Sequence, residues 1–285
     1  MLFRSNRDNR EFQERADALI KVNRNSSSSS ESAERLVSEL TELRESGKTV
    51  IACFGKVPVD LNVPYDGGPA HADMSDWITH TVDIAARNPD IVLLIKPHPH
   101  ELRPEIALDL IGGFSDLIQT ELPPNVRILG HREINTHALA PHLDMAILYN
   151  GSSSLELTAL GVPVLMASHF GRHDYPLELL YPEDREHYER FIADRKYRRP
   201  SEELRKRAAF LISYLGTSHV STRNTYSRRQ VTNDKVGFPV WHEEEIAELV
   251  QNGDPAMDAI AAQITEKFRR NREAGAAGDA KAAAG

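Results

Sequence analysis

The sequence predicts an α/β fold, a parallel sheet flanked by helices, and three observations predict it. Short apolar runs recur at 49–54, 91–95, 145–149 and 162–167, with a fifth strand-like stretch, broken by Arg127, at 126–129. Each has the length of a strand covered on both faces. Stretches with helical periodicity fill the gaps between them. Gly- and Pro-rich turns separate the two kinds of segment, so each strand leads into a right-handed crossover and a parallel neighbour.

Residues 9–23 carry Phe12, Ala16, Leu19 and Ile20 in a helical stripe. Asn25 and the serine run 26–30 form a polar linker unable to build a core. A second helix, about 33–45, carries Leu36, Leu40 and Leu43 and is closed by Gly47. The strand at 49–54 contains the single cysteine, Cys53, and runs into a loop with Pro58, Pro64, Gly67, Gly68 and Pro69. Residues 76–88 read as a helix with Ser75 as N-cap and Trp77, Ile78, Val82 and Ala85 on one face. After the strand at 91–96 come a helical stretch at about 104–114, the strand at 126–129 and a short helix at 135–140. The strand at 145–149, the helix at 152–160 and the strand at 162–167 complete the alternation. The remainder reads as mostly helical, at 183–190, 201–214, 243–250 and 254–270, and ends in a small-residue tail expected to be disordered. The expected division is a helical N-terminal segment (1–46), a Rossmann-like domain (47–235), C-terminal helices (236–272) and the tail (273–285).

Composition narrows the function. The 285 residues carry 42 acids against 34 bases, a net charge of −8, which disfavours a broad nucleic-acid surface and leaves room for a local basic pocket. One cysteine excludes an intrachain disulfide and a cysteine-cluster metal site. No apolar run approaches the roughly 20 residues that span a bilayer, and the polar segment after Met1 is unlike a signal peptide. The expectation is a cytoplasmic protein that can work at the inner face of the plasma membrane without entering it. The 12 histidines are scattered, with no zincin spacing, so no metal is expected.

Two stretches carry chemistry. "IKPHPHE", 95–101, ends an apolar strand in Lys96-Pro97-His98-Pro99. Ligands of open α/β sheets sit at the carboxyl ends of strands. A residue between two prolines is confined largely to extended backbone, so His98 is held in a narrow range of directions. Its imidazole either donates to a phosphate or carboxylate or only caps the turn. His100 and Glu101 stand beside it. "YNGSSSLELTALGVPVL", 149–165, ends a strand and opens a helix through Asn150, Gly151, Ser152, Ser153 and Ser154. A helix N-terminus presents unpaired N–H groups and suits an anion; the plain alternative is N-capping. Glu156 either accepts from a ribose diol or serves the helix dipole or a capping box with Ser153.

These two stretches, about 50 residues apart, resemble the bacterial capsule polysaccharide biosynthesis family, which includes Kdo transferases of the GT-B architecture. Similar elements occur in GT-B sialyltransferases and teichoic-acid glycerophosphotransferases. The resemblance covers about residues 49–190 and fits the nucleotide-binding, C-terminal half of a GT-B enzyme. It implies a nucleotide-sugar substrate, with no other cofactor. His98 and the Ser152–Ser154 cluster would hold the donor phosphate and Glu156 the ribose, with Lys96, Glu101, Asn150 and Gly151 as further substrate-binding candidates. The loop 131–135 would receive the base. In "SHFGRHDYP", 168–176, Arg172 and Tyr175 are further binding candidates, with His173 beside them. His98 is the catalytic candidate, stabilising charge on the leaving phosphate.

The resemblance implies an inverting, metal-independent glycosyltransferase with a CMP-Kdo-like donor and a glycolipid or polysaccharide acceptor. Only about 48 residues precede the first strand, so the acceptor half is expected from a longer chain or from a partner such as a capsule assembly protein. His71, Asp60, Asp66 and Asp73 lie in the long loop near the expected cleft, and no general base is assigned. Competing readings are a CDP-glycerol-type glycerophosphotransferase, a non-catalytic nucleotide-sugar-binding protein of a capsule complex and, ranked lower, a UDP-sugar 2-epimerase.

Overall fold

The computed structural model describes residues 31–58, 68–102, 112–168, 177–195, 197–215, 227–232, 235–255, 257–262, 264–266 and 268–269, with backbone alone for 227–241. The expected helix at 9–23, most of that at 104–114, the tail, Asp60, Asp66, Arg172, His173 and Tyr175 lie outside the described residues. The chain divides into two compact units, 1–214 and 215–285.

The first unit is a five-stranded parallel sheet flanked by helices, a Rossmann-like α/β fold. In chain order its elements are α1 (Glu31–Glu45), β1 (Thr49–Phe54), α2 (Met74–Arg87), β2 (Ile91–Lys96), β3 (Val126–Ile128), α3 (Thr136–Leu139), β4 (Met145–Leu148), α4 (Ser153–Ala159), β5 (Val164–Met166), α5 (Arg185–Ala193) and α6 (Glu202–Leu215). Spatial order is β3-β2-β1-β4-β5, every pair parallel. The order reverses direction between β1 and β4, so the connections leaving these two strands diverge there and open a crevice.

The apolar runs are continuous because each strand serves two cores. Ile51 and Cys53 of β1, Leu93 and Ile95 of β2 and Met145 and Ile147 of β4 pack with Trp77, Ile78, Val82 and Ile84 of α2 and Tyr188 and Ile192 of α5. Val50, Ala52, Phe54, Leu94, Ala146 and Leu148 face the other way, onto Leu36 and Leu40 of α1, Leu139 of α3 and Leu157 of α4. The period-2 alternation of a strand sends neighbouring side chains to opposite layers.

A buried polar knot ties α2 to α5. Trp77 Nε1 donates to the Tyr188 hydroxyl at 2.8 Å, and Thr81 Oγ1 lies 2.7 Å from the same oxygen. Gly68 has φ +65, and a Cβ there would lie 2.2 Å from the Ala167 carbonyl oxygen, so backbone meets backbone.

Several boundaries differ from expectation for local reasons. Asp73, not Ser75, caps α2, its carboxylate accepting from Asp76 N at 2.8 Å; Ser75 Oγ instead donates to the Leu117 carbonyl. Asp73 is thus a capping residue rather than a cleft residue. Asp184 caps α5 through His187 N, and the helix runs on to Ala193. The C-terminal region, expected to be mostly helical, also contains an antiparallel hairpin, β6 (Ser227–Thr232) with β7 (Lys235–Trp241), before α7 (Glu243–Asn252). Val236, Phe238 and Val240 alternate after Asn233-Asp234, which is a strand signal following a turn pair. The expected boundary at 235/236 falls inside β7, whereas the two units part at 214/215. Among the described residues no helix is long and apolar enough to cross a membrane.

Candidate functional site

A cavity of about 460 Å³ lies over the carboxyl ends of β1, β2 and β3, beside the reversal of strand order. Four segments wall it: Phe54 and Gly55 at the end of β1, Lys96 to Pro99 at the end of β2, His131, Arg132, Ile134 and Asn135 leading to Thr136 at the start of α3, and Ser153 at the start of α4. Parallel strands start these segments in register (Phe54 opposite Lys96, Ile95 opposite Ile128), so the loops leave from one edge. Gly55 is required there: a Cβ would lie 2.5 Å from the Phe114 ring.

Lys96 is the last residue of β2 and is only 6% exposed. Burial pushes its ammonium pKa down, against the pull of the Glu133 carboxylate. Its Nζ has neither an ion pair nor a hydrogen bond among the described residues. No carboxylate lines the cavity among the described residues, whereas Lys96, His98, His131 and Arg132 all do.

The Pro-His-Pro turn is fixed from below by Glu101. One carboxylate oxygen accepts from His98 N at 3.1 Å; the other accepts from Phe114 N at 3.2 Å and lies 3.1 Å from His131 Nε2. At 5% exposure Glu101 is spent on the fold's own donors. That corrects its expected place among the substrate contacts: it positions His98 and His131 and does not line the cavity. His98 Nδ1 accepts from His100 N at 3.1 Å, which places the neutral ring's proton on Nε2. The turn's internal bonds and a donor role for Nε2 are therefore compatible.

The three serines separate. Ser153 is half-buried and lines the cavity. Ser154 is fully buried and its Oγ donates to Gly151 O at 2.8 Å, so it closes the turn and does not face a ligand. Ser152 is the exposed N-cap and makes no side-chain capping bond. Gly151 adopts φ +129, a conformation suited to glycine. Asn150 is buried at the end of β4, outside the cavity wall. Glu156 lies 3.7 Å from His137 Nε2, and burial pushes its carboxyl pKa up. It too is outside the cavity lining, which corrects its expected position toward a ribose.

His71, expected near a cleft, is 6% exposed and its Nε2 lies 3.1 Å from His80 Nδ1 beneath Tyr188. The loop 131–135 joins the cavity as expected, while Gly55 and Thr136 were not singled out from the sequence. A glycine directly after a buried strand was the available signal for Gly55.

No family model and no curated protein matches the chain. Among solved structures, it is similar to KpsC of Thermosulfurimonas dismutans, titled a beta Kdo 2,7 transferase, at 16% identity and TM-score 0.35, over 86% of this chain and 62% of that one. A beta Kdo 2,4 transferase structure of KpsC from the same organism matches at 15% identity and TM-score 0.36, over 78% and 64%. The Neisseria meningitidis UDP-GlcNAc 2-epimerase matches at 14% and 0.35, over 65% and 48%. The chain thus spans less than two thirds of the length of each.

Proposed function

We propose that this cavity binds the phosphate of a nucleotide sugar and that the chain is the donor-binding half of a metal-independent, inverting glycosyltransferase of capsule type. The observation that supports it best is Lys96: a buried ammonium that forms no ion pair among the described residues, on a cavity that no described carboxylate lines. A lysine held there is costly unless an anion completes it. Lys96 and His98 Nε2–H donate to the donor phosphate, Ser153 adds a hydroxyl, and the 131–136 segment receives the nucleoside. As the acceptor hydroxyl attacks the anomeric carbon, the bond from that carbon to the phosphate oxygen breaks. Charge then accumulates on the nucleotide, where the fixed donors count most. The proton of the acceptor passes to a base supplied by the acceptor half. A CMP-linked sugar is the favoured donor, on the sequence resemblance.

Calorimetric titration with CMP, CDP, UDP and ADP tests the reading, alongside His98→Ala and Lys96→Met. CMP affinity should fall at least tenfold, ~1.4 kcal/mol, in either variant. A CDP preference with the same residue dependence moves the reading to glycerophosphotransfer. Nucleotide binding unchanged by both substitutions removes the site assignment.

A further inference from the structure

A second, larger cavity of about 700 Å³ lies at the opposite, amino-terminal edge of the sheet. It is framed by Gly47 to Thr49 leading into β1, by Pro141 to Asp144 leading into β4, and by the segment between α5 and α6. Four cations line it: Arg44, Lys48, Arg195 and Arg199.

These cations are held in place rather than trailing in solvent. Arg44 donates to the Pro141 carbonyl at 3.2 Å and Arg199 to the Leu143 carbonyl at 3.0 Å. Both also share one carboxylate, Asp144, at 3.0 and 3.8 Å. Asp144 is further committed to Val50 N at 2.9 Å. Lys48 and Arg195 likewise share Asp90, each at 3.3 Å. Two carboxylates thus serve four cations. Glu45, exposed at the rim, pairs with none of them among the described residues. In a chain of net charge −8 this local excess runs against composition.

Arg195 adds an independent sign. Its φ is +53, the one described non-glycine residue in the left-handed region. That conformation costs an arginine of order 1–2 kcal/mol. Glycine or asparagine would hold this corner without the strain, yet a guanidinium is kept there, on the cavity wall.

We propose that this rear cavity binds a phosphate monoester dianion. Such a group carries close to two negative charges near neutral pH and three acceptor oxygens. Guanidinium forks pair with it through two parallel hydrogen bonds. Two shared carboxylates leave the donors to satisfy it, and the backbone anchors of Arg44, Lys48 and Arg199 limit the ordering required on binding. The site is separate from the nucleotide cavity and does not depend on that assignment.

Calorimetry of the full chain with glycerol 3-phosphate at about 0.15 M salt, where long-range charge effects are screened, tests it. The variants are Lys48→Gln, Arg195→Asn and Lys96→Met, each checked for fold by circular dichroism. Asparagine tolerates the left-handed backbone, so Arg195→Asn removes the charge without the conformation. Binding should survive Lys96→Met and weaken tenfold or more in each of the other two. Co-sedimentation with phosphatidylcholine vesicles, with and without phosphatidic acid, reports a headgroup source. Capture that requires phosphatidic acid and is lost in Lys48→Gln supports the site with a lipid ligand. Binding abolished by Lys96→Met alone, or unaffected by Lys48→Gln and Arg195→Asn, overturns the proposal, as does absence of binding in both assays. Neither result bears on CMP affinity, so the two cavities are judged separately.

Discussion

Replacing Glu101 by glutamine should destabilise the first unit although the side chain keeps its size. The carboxylate accepts on both sides, from His98 N through one oxygen and from Phe114 N through the other. An amide has one accepting end. Whichever way it is flipped, an NH₂ group faces a backbone N–H, and one donor is left unsatisfied in a site that is 5% exposed. Such a loss costs about 1–3 kcal/mol, and Glu101→Ala, which loses both acceptors, should cost about twice as much. Trp77 reports the event. It is fully buried, and its ring centroid lies 5.8 Å from that of Phe114, whose amide is one of the two donors. Urea unfolding followed by tryptophan fluorescence in a Trp241→Phe background therefore reads the first unit. A Glu101→Gln midpoint shift worth less than about 0.5 kcal/mol, with Glu101→Ala equally mild, would refute the idea that this carboxylate holds the Pro-His-Pro turn.

Three further outcomes rest on buried groups of the first unit. Tyr188→Phe strands Trp77 Nε1 in a fully buried site and should cost about 1–3 kcal/mol in the same urea assay. Gly68→Ala drives a methyl onto the Ala167 carbonyl oxygen in a backbone conformation unsuited to alanine, and should lower stability by more than about 1 kcal/mol in thermal unfolding. Burial and then the neighbouring His80 push His71 from 6.5 down to about 3. Between those values the unfolded chain binds a proton that the folded chain refuses. Stability is therefore full above about pH 6.5 and falls as pH drops toward 3, with a slope approaching ~1.4 kcal/mol per pH unit for this group. Urea midpoints at several pH values should show a shallower slope in His71→Asn; an unchanged slope assigns the acid sensitivity elsewhere.

The sheet was legible because every strand of it but β3, which Arg127 interrupts, is largely an apolar run between turn residues, a pattern that requires cover on both faces. Helix ends were less legible. Ser75 and Asp73 are both good caps in isolation, and only the Leu117 carbonyl, 42 residues away, draws Ser75 aside. The hairpin at 227–241 was missed because its first strand, Ser227 to Thr232, is mostly polar and only Val236, Phe238 and Val240 of the second alternate. In the site, the sequence correctly brought Lys96, His98, Ser153 and the 131–135 loop to one cavity. It could not separate Ser153 from Ser154, which differ only in the side of the helix they occupy. Glu101 and Glu156 were both placed among the substrate contacts. Their partners, Phe114 with His131 for one and His137 for the other, are set by tertiary packing and leave no local trace.

β1 lies between β2 and β4, and every residue from Val50 to Phe54 is buried. Its odd and even side chains belong to different layers. Such a strand admits no insertion or deletion: a single added residue would exchange the contents of the two layers along its length. The connecting segments carry no such constraint. Change of ligand in this architecture must therefore be written in the connections, while the strands act as a fixed ruler that sets where each connection begins.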